Sequence, residues 1–368
     1  MTLHDLIARQ LAPLLPPTDL SSGLFKPVGS VPVFQITVDA PNLDLLGKDP
    51  RKAVRAQLRI GQQEFADVGL HLKGAAGSWR DWNDKPGLTL SFDKFVKGQH
   101  LFGVEKLHLN NGVQDGSYLH ELLANELALA MGVPACRCAH ALVELNGRKV
   151  GLSVLKEGFD KTWLRRNFPS PEGNLYDGGF CTDIDGELKL DTGIDNQRRD
   201  LKVLVEACNQ GYAAVERVVD VERFCANAAL QVITTDWDGY MRKPNNYRVF
   251  LPTKGRAVFI PHGMDQLWQS PDETLWPGWG GRVAHVILEH PEGRKSTLRQ
   301  LGEASQKHFT LAKLHGRIDS LAPRTLDALK ATGHPEWVGG FENELRGLKE
   351  RLARRVAYLR NELPRLSV

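Results

Sequence analysis

The residues best suited to chemistry lie in three short segments. They are Thr234-Thr235-Asp236-Trp237-Asp238-Gly239-Tyr240, Pro244-Asn245-Asn246-Tyr247, and Phe259-Ile260-Pro261-His262-Gly263-Met264-Asp265-Gln266. Two runs of strand character, Tyr247 to Phe250 and Ala257 to Ile260, separate the second from the third. A hairpin returns its ends to one place, so Asp238, either Asn245 or Asn246, and Asp265 can converge. Carboxylate plus amide oxygen is the donor set of a hard cation such as Mg²⁺ or Mn²⁺. Phosphoryl transfer uses such a cation to neutralise charge on the β- and γ-phosphates, and needs a carboxylate beside the acceptor hydroxyl. The order Asp, Asn, Asp follows the logic of a phosphotransfer loop and its later metal-binding Asp. Taken singly, Asp238-Gly239 and Asn245-Asn246 are turn pairs, and Asp236 is a helix-end carboxylate. Their company makes the chemical reading.

These segments need a frame. Residues 18–30 are rich in Ser, Gly and Pro and read as a loop. Alternating apolar runs then predict strands over Val31–Val38, Val54–Ile60, Val68–Leu72, Leu88–Phe92 and Lys106–Leu109. A helix is predicted from Ser117, as N-cap, to Met131, with Gly132-Val133-Pro134 ending it. Strands Ala141–Leu145 and Val150–Leu155 flank Asn146-Gly147, a strong hairpin signal. Helical character dominates from Phe159, around 159–167, 195–209 and 220–235, and again from 295 to a last helix over Glu344–Leu363. The expected fold class is α+β in two lobes: an extension over 1–30, a nucleotide-binding lobe over 31–158 built on an antiparallel sheet with one helix, and a mainly helical lobe over 159–368. The ligand site is expected in the cleft between them.

Composition narrows the class. Apolar residues make up 42% of the 368 and charged residues 25%, the balance of an ordinary globular protein rather than a fibre or a disordered chain. The 47 basic and 44 acidic residues nearly cancel, so no nucleic-acid partner is expected. Five cysteines, an odd and sparse set, exclude a disulfide scaffold, and Cys136 and Cys138 lack zinc spacing. No run reaches the ~20 apolar residues of a membrane span. Met1 to Pro17 carries an amphipathic run with Leu3, Ile7 and Leu11 but not the pattern of a signal peptide. Localisation and oligomeric state stay open.

With the motifs laid out, the chain resembles the spore coat protein H (CotH) kinase family of atypical kinases. Asp238-Gly239-Tyr240, Asn246-Tyr247 at a strand start, and Ile260-Pro261 with Gly263-Met264-Asp265-Gln266 carry the likeness. So do Leu72-Lys73-Gly74 with Gly77-Ser78 and a later Lys85, Leu145-Asn146-Gly147 through Glu157-Gly158-Phe159-Asp160, and Gly173-Asn174-Leu175-Tyr176. The likeness spans roughly residues 30–270. It implies a kinase-like core, ATP with Mg²⁺ or Mn²⁺, and Ser/Thr acceptors on a protein substrate. By the same likeness Asp238 is the catalytic Asp, Asp265 the metal-binding Asp and Asn246 the metal-coordinating Asn. His262 departs from the Trp that the family often has there, and reads as a packed neighbour of the site. Kinase logic further asks for a sheet lysine paired with a helix glutamate. Lys73 and Lys85 are the candidate lysines, Glu121 and Glu126 the candidate carboxylates, and Lys85 with Glu121 the chosen pair. Glu157 stands where a hinge would touch adenine. Two other readings remain: AMP transfer on the same fold, and an inactive pseudokinase serving coat or surface assembly.

Overall fold

The computed structural model describes residues 23–26, 29–194 and 197–366, so the amphipathic run of Met1 to Pro17 lies outside the described residues. The class is α+β. Seven strands come first: β1 (Val33–Thr37), β2 (Val54–Ile60), β3 (Gln63–Lys73), β4 (Gly87–Ser91), β5 (Lys106–Asn110), β6 (Cys138–Leu145) and β7 (Arg148–Glu157). They close into a barrel in the order β1-β2-β3-β4-β5-β7-β6. The expected antiparallel sheet is therefore a barrel, sealed by one parallel pair, β1 with β6, in which Phe34 faces Val143. Closure leaves no open edge, which protects strands whose inward residues Phe34, Leu70, Leu90 and Leu107 are fully buried. The β6–β7 turn is Asn146-Gly147, with φ of 49° and 79°. Both residues need the left-handed region there, which Asn and Gly adopt most easily.

Among the described residues, two helices accompany the barrel rather than one. The first, α1 (Ala40–Lys48), went unseen in the sequence; Asp39 caps it by accepting the Asn42 N–H at 2.8 Å. The second, α2 (His120–Ala130), begins three residues after the expected cap. Asp115 fills the capping role, accepting the backbone N–H of Ser117 at 3.0 Å and of His120 at 2.8 Å. Gly132, with φ of 75°, ends this helix as expected.

After the short helix α3 (Lys161–Asn167), strands β8 (Gly173–Asp177) and β9 (Lys189–Thr192) join β10 (Tyr247–Pro252) and β11 (Val258–Pro261) in a second sheet, ordered β11-β10-β8-β9. The expected hairpin is thus half of a four-stranded sheet. The remaining helices are α4 (Arg199–Gln210), α5 (Tyr212–Val218), α6 (Val221–Thr234), α7 (Arg282–Leu288), α8 (Pro291–Lys307), α9 (Leu311–Ala331) and α10 (Pro335–Leu366). Helix α6 is buried along its last eleven residues, and Thr235 ends it with φ of 50°. Asp236 and Asp238 therefore hang from a fixed helix end.

The C-terminal helices reach back to both parts. Arg355 of α10 is wholly buried and donates to the carbonyls of Pro271, Glu273 and Val232, at 3.1, 2.6 and 2.5 Å. Trp337 of the same helix packs on Gly151 of β7, where an added Cβ would lie 2.4 Å from the ring. Arg317 of α9 holds Glu126 of α2, with its Nε 2.9 Å from Oε2. Among the described residues no helix is long and apolar enough to cross a membrane.

Candidate active site

A cleft of about 550 Å³ is lined by barrel residues on one side and by the second sheet and the Asp236–Asn246 loop on the other. The barrel contributes Lys73 of β3, Lys106, His108 and Asn110 of β5, and Lys156 of β7. The facing side contributes Asp236, Asp238, Asn245, Asn246, His262, Gly263 and Asp265. Cations thus face carboxylates across one opening.

The hairpin brings its ends together as the sequence suggested. Tyr247 pairs with Pro261, and the next residue outward, His262, donates its N–H to the Asn246 carbonyl at 3.0 Å. Asn246 takes φ of 48° and Gly263 φ of 64°. A Cβ on Gly263 would lie 2.6 Å from Asn246 Oδ1, so only glycine lets the two ends close. Both candidate amides serve Asp238: Asn245 Nδ2 and Asn246 Nδ2 each donate to its Oδ2 at 2.9 Å. Asn246 thereby has its nitrogen committed to Asp238 and its oxygen turned toward Gly263.

Asp265 lines the same cleft, and its own backbone N–H hydrogen-bonds its carboxylate. Burial pushes its pKa up to about 7, and the charge of Glu121 adds to that. Asp236 is likewise pushed up to about 7, by burial first and then by Asp238 and Asp265. Carboxylates this crowded fit a bound divalent cation, whose charge would offset both effects. Asp265 and Asn246 both line this cleft and would offer a carboxylate and an amide oxygen to such a cation. Among the described residues no three His, Cys, Asp or Glu side chains gather as a metal cage.

Asp236 gives a pH prediction. Its folded pKa lies above its ordinary value of 3.8, so the folded state holds the proton more tightly than the unfolded state. Stability from this group is full below about pH 4 and is lost as pH rises to about 7. Asp236→Asn should therefore stabilise the metal-free protein by up to roughly 4 kcal/mol above neutral pH and hardly at all near pH 4. Urea unfolding at several pH values reads this; a pH-independent difference contradicts it.

The lysine–glutamate pair differs from the expected one. Glu121 on α2 binds Lys156 of β7 at 2.6 Å, not Lys85. Both are buried, at 1% and 3% exposure. Burial opposes the charge of Glu121, yet Lys156 and Lys73 outweigh it and hold its pKa low. Asn110 joins Lys73 to the same carboxylate, accepting from Lys73 Nζ and donating to Glu121 Oε2. Burial lowers Lys73 to about 8. Lys85 lies elsewhere: its ammonium donates to the Tyr118 hydroxyl at 2.6 Å and sits 5.2 Å from the Trp337 ring centre. It fastens α10 to the barrel and is not among the residues lining the cleft. Glu126 faces outward to Arg317, and Glu157 pairs with Arg137 at 2.7 Å and with Arg166.

Sequence reasoning missed Lys156. It is the neighbour of the chosen Glu157, and successive strand residues point to opposite faces. His262 packs edge-on to Phe159, ring centres 6.0 Å apart. Burial, with Arg248, Lys156 and Lys73 nearby, holds its imidazole well below its ordinary pKa, so it acts as a neutral ring. Arg248 was also missed: it lines the cleft, bound to Asp191 at 2.8 Å and Asp177 at 2.9 Å.

Residues 70–359, well over half of the chain, match the family described as CotH kinase protein. The match runs through the C-terminal helices, beyond the span of the motifs. No curated protein matches the chain. Among solved structures, HipA of the Shewanella oneidensis MR-1 toxin–antitoxin system, in complex with HipB and operator DNA, is similar at 13% identity and TM-score 0.32, over 92% of this chain and 74% of that one. The Helicobacter pylori proinflammatory kinase CtkA is similar at 9% identity and TM-score 0.27, over 86% of this chain and 93% of that one.

Proposed function

Because the chain belongs to the CotH kinase protein family, we propose that it transfers the γ-phosphoryl group of ATP to a Ser or Thr hydroxyl of a protein substrate, with Mg²⁺ or Mn²⁺. The single observation that supports this most is the facing of two charge clusters across one cleft: Lys73 and Lys156, fixed by Glu121, opposite Asp238, Asn246 and Asp265. In this reading the barrel and the helical part act as two lobes. Lys73, beside the loop Gly74–Ser78, contacts phosphate oxygens, while Glu121 keeps Lys156 and Lys73 charged and in place. Asp265 and the Asn246 amide oxygen hold the cation, which when bound offsets phosphate charge. Asp238 faces the incoming hydroxyl, and its amide partners Asn245 and Asn246 fix its orientation. It positions that hydroxyl for attack on the γ-phosphorus and takes its proton.

The test is nucleotide binding with and without metal. ATP should raise the melting temperature far more with Mg²⁺ or Mn²⁺ than with chelator, since ligand binding to the native state alone adds stability. Equal shifts in both conditions contradict the reading. Lys73→Ala should weaken ATP binding, whereas Lys85→Ala should leave ATP affinity near the parent value and lower stability only. A reversed pattern would move the phosphate contact to Lys85.

A further inference from the structure

The first turn of α2 carries two consecutive residues whose side chains reach two residues lining the cleft, Lys156 and Asp265. Glu121 points to Lys156 at 2.6 Å. His120, one residue earlier, points its Nδ1 at the backbone carbonyl of Asp265, 2.8 Å away. A carbonyl oxygen can only accept, so Nδ1 carries the hydrogen and the imidazole donates. The ring is 2% exposed and lies edge-on to Trp268, ring centres 5.6 Å apart. Trp268 in turn donates its backbone N–H to the Thr234 carbonyl at 2.8 Å, at the end of α6 that carries Asp236 and Asp238. On the other side Asp115 accepts the His120 N–H at 2.8 Å and lies 3.8 Å from Nε2. The imidazole therefore donates to one atom of the segment bearing Asp265 and packs on Trp268, while its buried Nε2 has no hydrogen-bond partner among the described residues.

We propose that His120 is a positioning residue that sets Asp265 in register with the Lys156–Glu121 pair. One helix turn would then fix both the phosphate-side cations and the metal-side carboxylate. A shift of α2 that broke the Glu121 pair would also release the Asp265 carbonyl, so the two halves of the site assemble together. This rests on the kinase reading above for its consequence in nucleotide binding, but its structural half does not.

Two substitutions separate the donor from the packing. His120→Asn places an amide N–H where Nδ1 stands, whereas His120→Leu keeps bulk and removes the donor. Two readouts are taken on each: ATP affinity by calorimetry with Mg²⁺ and with chelator, and hydrogen exchange at the Trp268 amide without nucleotide. The Leu variant should lose roughly tenfold or more in Mg²⁺-dependent ATP affinity, as is usual when a group orienting a metal ligand is removed. Its affinity in chelator should match the parent, and its Trp268 amide should exchange faster. The Asn variant should keep both near the parent values. If His120→Leu does not fold, His120→Gln, which moves the amide to the Nε2 position, takes its place with the same expected loss. The proposal is overturned if the donor-less variant folds and keeps parental exchange and metal dependence, or if Asn loses as much as Leu. A parent that binds ATP without regard to metal sinks the kinase reading and the binding consequence with it; the exchange result then still decides whether His120 holds the Asp265 segment.

Discussion

Asp238→Asn should lose about 10²–10⁴-fold in turnover while keeping its ATP affinity. Asp238 is half-buried and lines the cleft, and its Oδ2 accepts from Asn245 and Asn246 at 2.9 Å each. It lines the same cleft as Asp265, and among the described residues it makes no salt bridge. An interaction with the acceptor hydroxyl matters chiefly in the transition state, so its loss appears in kcat and not in nucleotide binding. Asn keeps the shape and removes the charge. Initial rates of phosphate incorporation, alongside ATP calorimetry, measure both quantities. Full activity in this variant would shift the catalytic role to Asp236, two residues away on the same loop.

Glu121→Gln should cost roughly 3–5 kcal/mol of stability, because it strands a buried cation. Among the described residues Lys156 has no other carboxylate at hydrogen-bond distance, and it is 3% exposed. Burial works against its charge, and Glu121 more than restores it, holding its pKa above the ordinary value. Without that partner, Lys156 must lose its proton or draw in water. The double variant Glu121→Gln/Lys156→Met removes the charge as well and should recover most of the loss. Urea unfolding of the single and double variants gives the coupling directly. If Glu121→Gln alone is as stable as the parent, the pair is not the charged bridge described here.

The parts that were legible in the sequence share a cause: they are set by neighbours along the chain. The seven barrel strands follow from apolar runs, the β6–β7 turn from Asn146-Gly147, and the meeting of Asn246 with Gly263 from the hairpin between them. Closure of the barrel was not legible, because β1 pairs with β6 across a separation of more than a hundred residues and nothing local encodes it. Lys156 went unseen for a related reason. β7 is buried on both faces over its last eight residues, so alternation leaves no polar–apolar phase to show which side chain enters the cleft. Lys85 was drawn to the site by its place after a glycine loop, yet its surroundings come from Tyr118 and from Trp337, far along the chain. His120 carried no signal at all, since its partner is a backbone carbonyl. The family match through residue 359 fits the way α9 and α10 hold Glu126, Lys85 and the end of α6, which makes the C-terminal helices part of the same unit.

In the proposed function, metal held by Asp265 serves transfer of phosphate from ATP to a protein hydroxyl. The most direct measurement incubates the parent and Asp265→Asn with ATP, a Ser/Thr-rich acceptor protein and Mg²⁺ or Mn²⁺, and follows the acceptor by intact mass. The parent should add phosphate, chelator should abolish the addition, and Asp265→Asn should lose both the addition and metal-dependent ATP binding. Addition of AMP in place of phosphate, or phosphate transfer that persists in chelator or in Asp265→Asn, would contradict it.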